Sequence, residues 1–118
     1  MVYMYIGIAG ALGAIARYSI GVIMISESGF PFGTLLVNLV GCYALAFITS
    51  RTLPFSNKLK SAIGTGFLGS FTTFSTFSVE TIAMIENEQV VLAIIYITLS
   101  IVGGIIISNF GWKNEVTK

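Results

Sequence analysis

The sequence predicts an all-α membrane protein with four transmembrane helices. Only 9% of its 118 residues are charged and 55% are hydrophobic, whereas about 25% of the residues in soluble domains are charged. Four charge-free runs, at about 1–16, 28–50, 61–79 and 89–112, each approach or exceed the roughly 20 residues that a helix needs to cross a bilayer. Because the stretches between them are short, we expect one antiparallel bundle, a single membrane domain over residues 1–118.

The first helix is predicted at about 3–25. Its apolar run has no basic segment before it and no small-residue cleavage site, so we expect a retained helix and not a signal peptide. Gly10 and Ala14, four residues apart, allow another helix backbone to pack closely. Arg17 lies inside helix 1, whereas the other basic residues lie at or beyond the ends of the predicted spans. It must reach an interface, a water-filled vestibule or a partner, and is therefore a candidate functional residue; the alternative is that it extends to the outer end of the helix.

The second helix is predicted at about 31–51 and carries Asn38 near its centre. Thr34 lies four residues earlier on the same face. An amide in hydrocarbon needs hydrogen-bond partners, so Asn38 is expected to face protein or water. Unlike Ser and Thr, Asn does not easily bond the carbonyl four residues back in its own helix.

The third helix, predicted at about 59–84, contains the most unusual segment, GFLGSFTTFSTFSVE at 66–80. Gly and β-branched residues are weak helix formers, so the stretch 69–73 is expected to loosen the helix. Carbonyls freed at mid-membrane are tolerated only where they are buried in protein, line a cavity or bind an ion. Phe74 and Phe77 share a helix face, and their electropositive edges can line an anion path; plain packing is the alternative.

The fourth helix is predicted at about 90–111, with Tyr96 and Ser100 four residues apart. Together with the polar side chains of helices 2 and 3, these hydroxyls can form a ladder of donors. An anion that gives up its water requires such donors. Ordinary hydrogen bonding between helices is the competing explanation.

The residue types argue against catalysis. The sequence has no His and only five acidic residues, so a hydrolase triad or a transition-metal site has almost nothing to be built from. Cys42 is the only cysteine and predicts neither a disulfide framework nor a metal cluster. The chain is therefore not predicted to be an enzyme.

The basic residues other than Arg17 all fall on one side of the bundle. They lie in the second loop and the C-terminal tail: Arg51, Lys58, Lys60, Lys113 and Lys118. The first and third loops carry only Glu27, Glu86 and Glu88. Because cytoplasmic loops are enriched in Lys and Arg, both termini are predicted to be cytoplasmic.

Three motifs carry a resemblance to a known family: GALGAIARY at 10–18, GTLLVNLVG at 33–41 and the segment at 66–80, followed by Tyr96 and Ser100. Over essentially its whole length the chain resembles the CrcB/Fluc family of small fluoride channels. The resemblance implies an antiparallel, dual-topology-type dimer in a prokaryotic plasma membrane. Two narrow pores built from both subunits would then export fluoride passively and lower its cytoplasmic concentration.

The same resemblance implies roles for individual residues. Asn38 would donate hydrogen bonds in the pore, and Phe74 and Phe77 would supply aromatic edges. The hydroxyl track beside the rings would comprise Thr34, Ser75, Thr76, Tyr96 and Ser100. Arg17 would draw anions into the vestibule. A structural Na⁺, not transported, would be held in an interrupted helix 3 by the backbone carbonyls of Gly69 and Thr72 from both subunits. Glu80 also matches the family, with no role assigned.

One feature departs from the simplest family pattern. A homodimer whose subunits insert in both orientations needs balanced Lys and Arg on the two sides, and this chain is lopsided. We therefore expect a fixed orientation and a second, oppositely inserted homologue as partner, with pairing to itself as the alternative.

Two other classes remain open. Small multidrug exporters are also four-helix dimers, but they need a membrane carboxylate, typically in helix 1, where this chain has Arg17. A non-transporting assembly subunit would use the small-residue positions only to bind a partner.

Overall fold

The computed structural model describes residues 1–24, 29–51 and 54–112. Every regular element in these ranges is helical, and no strand occurs among them. In chain order the elements are α1 (Val2–Ile23), α2 (Phe32–Ser50), α3 (Asn57–Ser61), a π-helix (Ala62–Leu68), α4 (Gly69–Phe71), α5 (Ser75–Glu86) and α6 (Val90–Gly111). Glu27, Lys113 and Lys118, which enter the predicted charge balance, lie outside the described residues.

Three helices in the described part of the chain are long and apolar enough to cross a membrane. These are α1, α2 and α6, with mean hydropathies of 1.6, 1.8 and 2.8. At 22 residues each, α1 and α6 extend for about 33 Å, and the hydrocarbon core of a bilayer is about 30 Å thick. Many of their large apolar side chains are exposed, Ile15 and Val91 among them, as suits a lipid-facing surface. The predicted all-α class is confirmed for the described residues, and three of the four predicted spans contain a helix long and apolar enough to cross a membrane.

The segment predicted as the third spanning helix, about 59–84, is built from shorter pieces. α3 leads into the π-helix and α4, which ends at Phe71, and α5 begins only at Ser75. Thr72, directly after α4, has an extended backbone with φ −84° and ψ 155°. None of these pieces alone has the length of the three long helices.

Local signals set two of the helix ends. The side chain of Ser56 accepts a hydrogen bond from the Leu59 N–H at 3.2 Å, which is the usual N-cap contact at the start of α3. Only residues 87–89 separate α5 from α6, and Glu88 has a φ of 61°. Because this connection has only three residues, α5 and α6 are antiparallel neighbours.

α1 packs along the π-helix and α4, and glycine allows the backbones to approach closely. A Cβ atom at Gly66 would lie 2.6 Å from the carbonyl oxygen of Ile6, and one at Gly13 would overlap the carbonyl of Phe67. Small residues at such positions are a main source of helix packing in membranes. The predicted close packing of the first and third segments is therefore present.

α2 packs mainly against α6, and Arg51 joins their C-terminal ends. Its Nη1 donates to the carbonyl of Gly111 at 2.6 Å, and its guanidinium carbon lies 4.0 Å from the centre of the Phe47 ring. Both interactions favour a cation. The two helices consequently run parallel and end on the same side of the bundle.

The buried apolar side chains form two small clusters. One contains Phe30, Met84, Ala93 and Tyr96; the other contains Val37, Leu68 and Phe71. Because Phe71 is the last residue of α4, packing in the second cluster holds the point at which this helix ends.

Candidate functional site

The amide of Asn38 binds the backbone between α4 and α5. Its Oδ1 accepts a hydrogen bond from the Thr73 N–H at 2.8 Å, and its Nδ2 donates to the Thr73 carbonyl at 3.1 Å. In an uninterrupted helix both groups of Thr73 would be bonded to residues four positions away. A primary amide has two N–H donors, so Asn38 keeps one that Thr73 does not use.

The hydroxyl of Thr73 caps the start of α5. Its Oγ1 accepts a hydrogen bond from the Thr76 N–H at 3.1 Å and lies 3.4 Å from the Ser75 hydroxyl. A Ser or Thr that accepts from the N–H three residues on is a typical N-cap. Thr73 is absent from the predicted site residues, although a Thr at a suspected helix start could have indicated this role.

Two of the backbone carbonyls at the interruption lose their helical donors to side chains. In a continuous helix the carbonyls of Gly69 and Thr72 would accept from the N–H groups of Thr73 and Thr76. These N–H groups donate instead to the side chains of Asn38 and Thr73. Among the described residues, no hydrogen bond reaches either carbonyl. Free carbonyls away from water need a cation, a donor or a polar cavity.

Arg17 binds the same region from α1. Its Nε donates to the carbonyl of Ser70 at 3.2 Å, an acceptor that loses its helical partner at the interruption. The hydroxyl of Ser70 in turn donates to the carbonyl of Gly10 at 2.6 Å. Arg17 is therefore held against α4 within the protein, and its side chain also lines a small cavity of about 190 Å³.

Phe74 and Phe77 lie next to each other, as their spacing predicts. Their ring centres are 5.9 Å apart with planes tilted by 34°. Phe77 also packs on the ring of Tyr96, with centres 4.9 Å apart. Phe74 is 78% exposed in the single chain, so one of the two rings is fixed by its neighbours and the other is open to a partner or to lipid.

Tyr96 is fully buried and links three helices. Its hydroxyl donates to Oε1 of Glu80 at 3.1 Å, and the Thr34 side chain lies near the same phenol oxygen. Glu80, which had no assigned role in the sequence, thus has a defined partner. The three residues connect α2, α5 and α6 directly behind the Phe77 ring.

The predicted site residues fall into two neighbouring cavities. The larger, of about 420 Å³, is lined by Asn38, Gly69, Thr72, Phe74, Phe77 and Ser100 together with Thr73 and apolar neighbours. The smaller, of about 190 Å³, is lined by Arg17, Thr34 and Thr76 together with Glu80. Ser75 is exposed beside Thr73, and Tyr96 lies behind Phe77 without lining either of these two cavities.

The larger cavity offers donors without offering charge. All of its described lining residues are uncharged. The hydroxyl of Ser100 is buried there, and no hydrogen-bond partner for it is found among the described residues. A buried hydroxyl normally has a partner, so Ser100 and the second N–H of Asn38 are available to a polar ligand.

Comparison with known proteins gives one consistent result. The family model described as CrcB-like protein, Camphor Resistance (CrcB), matches residues 4–112. The fluoride-specific ion channel FluC 1 of Bacillus cereus is 44% identical over 117 residues, which span 95% of this chain and 81% of that protein. FluC 2 of Listeria innocua, also named a fluoride-specific ion channel, is 47% identical over 94% of this chain and 88% of its own. FluC 1 of Staphylococcus aureus is 44% identical over 96% and 95%.

Proposed function

This chain belongs to the CrcB-like protein family, and from that premise we propose that it is a fluoride-selective ion channel. It lets fluoride leave the cytoplasm passively, and it is not an enzyme. Relatives that are 44% to 47% identical along most of the chain are named fluoride-specific ion channels. The observation in the structure that carries the proposal is the uncharged cavity where Asn38, Phe74, Phe77 and Ser100 meet.

The chemistry of this cavity suits fluoride. A small, strongly hydrated anion enters a narrow pore only if close donors replace its water. The free N–H of Asn38 and the hydroxyl of Ser100 are such donors, and the edges of Phe74 and Phe77 add positive potential without a fixed charge. Neutral donors bind the anion weakly enough for it to leave again, which conduction requires.

The smaller cavity suits the approach to this pore. Arg17 contributes a positive charge that raises the local concentration of anions. The hydroxyls of Thr34 and Thr76 line the same space, and Ser75 lies near the start of α5. Tyr96 supports the pore indirectly, because its ring packs on Phe77 and its hydroxyl donates to Glu80.

The working channel is an antiparallel dimer in this proposal. The larger cavity is open along one face of the single chain, and Phe74 is 78% exposed beside it; a second subunit would close the cavity into a pore. In the described residues the basic side chains of the loops, Arg51, Lys58 and Lys60, lie around the connection from α2 to α3, whereas Glu86 and Glu88 lie at the opposite end. This bias supports a fixed orientation in a prokaryotic plasma membrane, with both termini cytoplasmic. It favours a second homologous subunit over a second copy as partner.

A structural Na⁺ fits the free carbonyls of Gly69 and Thr72. Hard cations prefer neutral or anionic oxygen ligands, and two subunits would supply four such carbonyls. When bound, the ion would neutralise their negative ends and hold the two interrupted segments together. Gly69 has no side chain, and the Thr72 hydroxyl donates to the carbonyl of Leu68, so the ligands in this proposal are backbone carbonyls. The ion is therefore expected to stabilise the dimer and not to be transported.

Fluoride tolerance of a sensitive bacterium tests the function. Expression of this chain, with its homologous partner where the genome encodes one, should raise the fluoride concentration that cells survive. Phe77→Leu should abolish the gain, because it removes a ring from the cavity. Phe110→Leu is the matched control, since Phe110 is 76% exposed on α6. Equal protection by wild type and Phe77→Leu would contradict the pore, and no protection by any pair would favour a non-transporting subunit.

A further inference from the structure

Two side chains take backbone N–H groups that would otherwise bind two carbonyls of the interruption. We infer that Asn38 and Thr73 are the positioning residues of the carbonyl site, because each takes the backbone N–H that would otherwise bind Gly69 or Thr72. Asn38 takes the N–H of Thr73, and Thr73 takes the N–H of Thr76. The inference rests on the proposed Na⁺ site and adds the reason why these two carbonyls are its ligands.

The first exchange takes place directly after α4. The helical pattern still holds at Thr72, whose N–H donates to the carbonyl of Leu68 at 3.1 Å. One residue later the pattern fails, since the Thr73 N–H points to Oδ1 of Asn38 and not to Gly69. The second bond of the amide, to the Thr73 carbonyl, fixes the same residue from its other side. Without Asn38 the Thr73 N–H is free to return to Gly69 and continue the helix.

The second exchange takes place at the start of α5. The N–H of Thr76 donates to the hydroxyl oxygen of Thr73, and its helical acceptor, the carbonyl of Thr72, receives nothing among the described residues. The helical pattern has resumed by Ser78, whose N–H donates to the carbonyl of Phe74 at 2.9 Å. The two diverted N–H groups therefore belong to the two carbonyls that are proposed to bind Na⁺.

Neighbouring hydroxyls do not act in this way. Those of Ser70, Thr72, Ser78 and Thr81 donate to carbonyls three or four residues back, which is the common behaviour of Ser and Thr within helices. Thr73 instead accepts from a backbone N–H. Asn38 is likewise the residue of α2 whose amide reaches the interruption. The freeing of the Gly69 and Thr72 carbonyls is thus a property of these two side chains.

Asn38 then serves both proposed sites. Its Oδ1 and one N–H hold Thr73, while its second N–H lines the larger cavity where fluoride would pass. Removing the amide should weaken Na⁺ binding and fluoride conduction together. Asn38→Asp keeps an acceptor for the Thr73 N–H, but it places a carboxylate oxygen against the Thr73 carbonyl, to which Nδ2 donates in the wild type. It should therefore lose conduction and also weaken Na⁺ binding.

Sodium titration of the assembled, purified channel tests the inference. Thermal unfolding is followed as Na⁺ replaces N-methyl-D-glucamine at constant ionic strength. Thr73→Val removes the acceptor and keeps the shape, so it should weaken Na⁺ affinity by about 10- to 100-fold, as loss of an outer partner of a metal ligand does. Thr73→Ser should restore most of it. Thr81→Val is the matched control, because its hydroxyl donates only to the Phe77 carbonyl.

The variants Asn38→Leu and Asn38→Asp give a second, independent test by the same Na⁺ titration. Both Asn38→Leu and Asn38→Asp should weaken Na⁺-dependent stabilisation, Asn38→Leu more strongly because it also removes the acceptor of the Thr73 N–H. The Thr73 pair decides if neither variant folds. Circular dichroism and size-exclusion chromatography confirm folding and assembly. Folded Thr73→Val that binds Na⁺ as tightly as wild type would overturn the inference alone. A wild-type channel whose stability does not respond to Na⁺ would refute the proposed ion, and the inference would fall with it.

Discussion

The buried phenol of Tyr96 shows how one side chain joins packing to polar contacts. Its ring packs on Phe77 and Phe30, and its hydroxyl donates to Glu80. A carboxyl group inside a membrane bundle needs such a partner, because an unpaired one is costly. Glu80 is therefore held by a donor from α6, and the ring of Phe77, which lines the larger cavity, packs on the same residue.

Tyr96→Phe should destabilise the folded protein by about 1–3 kcal/mol, because the Glu80 oxygen loses its donor. The aromatic ring stays, so packing on Phe77 is kept. Unfolding in detergent micelles measures the change in the free energy of unfolding. Tyr3→Phe, at an 84% exposed residue, should change it little; equal effects of the two substitutions would show that the buried hydroxyl has no net role.

The interrupted third segment depends on its contact with α1. The π-helix lies so close to α1 that a Cβ atom at Gly66 would clash with the carbonyl of Ile6. Next to this contact, hydrogen bonds of Arg17 and Ser70 join the two segments. Arg17 of α1 thereby donates to the carbonyl of Ser70, which the interruption leaves without its helical donor. Close backbone packing and the polar site thus support each other.

Gly66→Ala should force α1 and the π-helix apart and cost about 1–3 kcal/mol, as overpacking does. Gly7→Ala is the matched control on the same helix pair, since nothing lies within 4 Å of a Cβ at Gly7. It should be neutral or stabilise by about 0.5–1 kcal/mol through helix propensity. Thermal unfolding of both variants measures this difference, and destabilisation by Gly7→Ala alone would contradict the packing described.

The sequence allowed the long helices to be predicted but not the course of the third segment. Length and apolar content are local properties, so hydropathy suffices for α1, α2 and α6. Whether the N–H of Thr73 binds Gly69 or Asn38 is decided by contact with a helix 35 residues away, which no local pattern records. Helical spacing did predict that Phe74 lies near Phe77. The pairing of Glu80 with Tyr96 and the capping role of Thr73 depend on tertiary contacts, and the sequence did not predict them.

The charge distribution of the whole molecule bears on its assembly. The described basic residues of the loops lie at the end where α2 meets α3, and the described loop glutamates lie at the other end. Arg51 is also fixed there by the carbonyl of Gly111 and the ring of Phe47. A chain with this asymmetry is expected to insert in one orientation.

Fusion of orientation reporters to the C-terminus should therefore give a cytoplasmic signal only. Replacing Lys58 and Lys60 by Gln weakens the bias and should raise the external fraction, whereas replacing Glu86 and Glu88 by Gln should not, since acidic residues contribute little to orientation. Equal cytoplasmic and external signals from the unmodified chain would contradict a fixed orientation and favour a homodimer of oppositely inserted copies.

Halide efflux from proteoliposomes tests the central claim most directly. The chain is reconstituted alone and together with its co-expressed homologue, and fluoride and chloride release are recorded with selective electrodes. A fluoride-selective channel predicts rapid fluoride release with chloride retained in at least one of the two preparations, and in the paired one alone if the orientation is fixed. Absence of fluoride release from both, or chloride release at a comparable rate, would contradict the assignment of this chain as a fluoride channel.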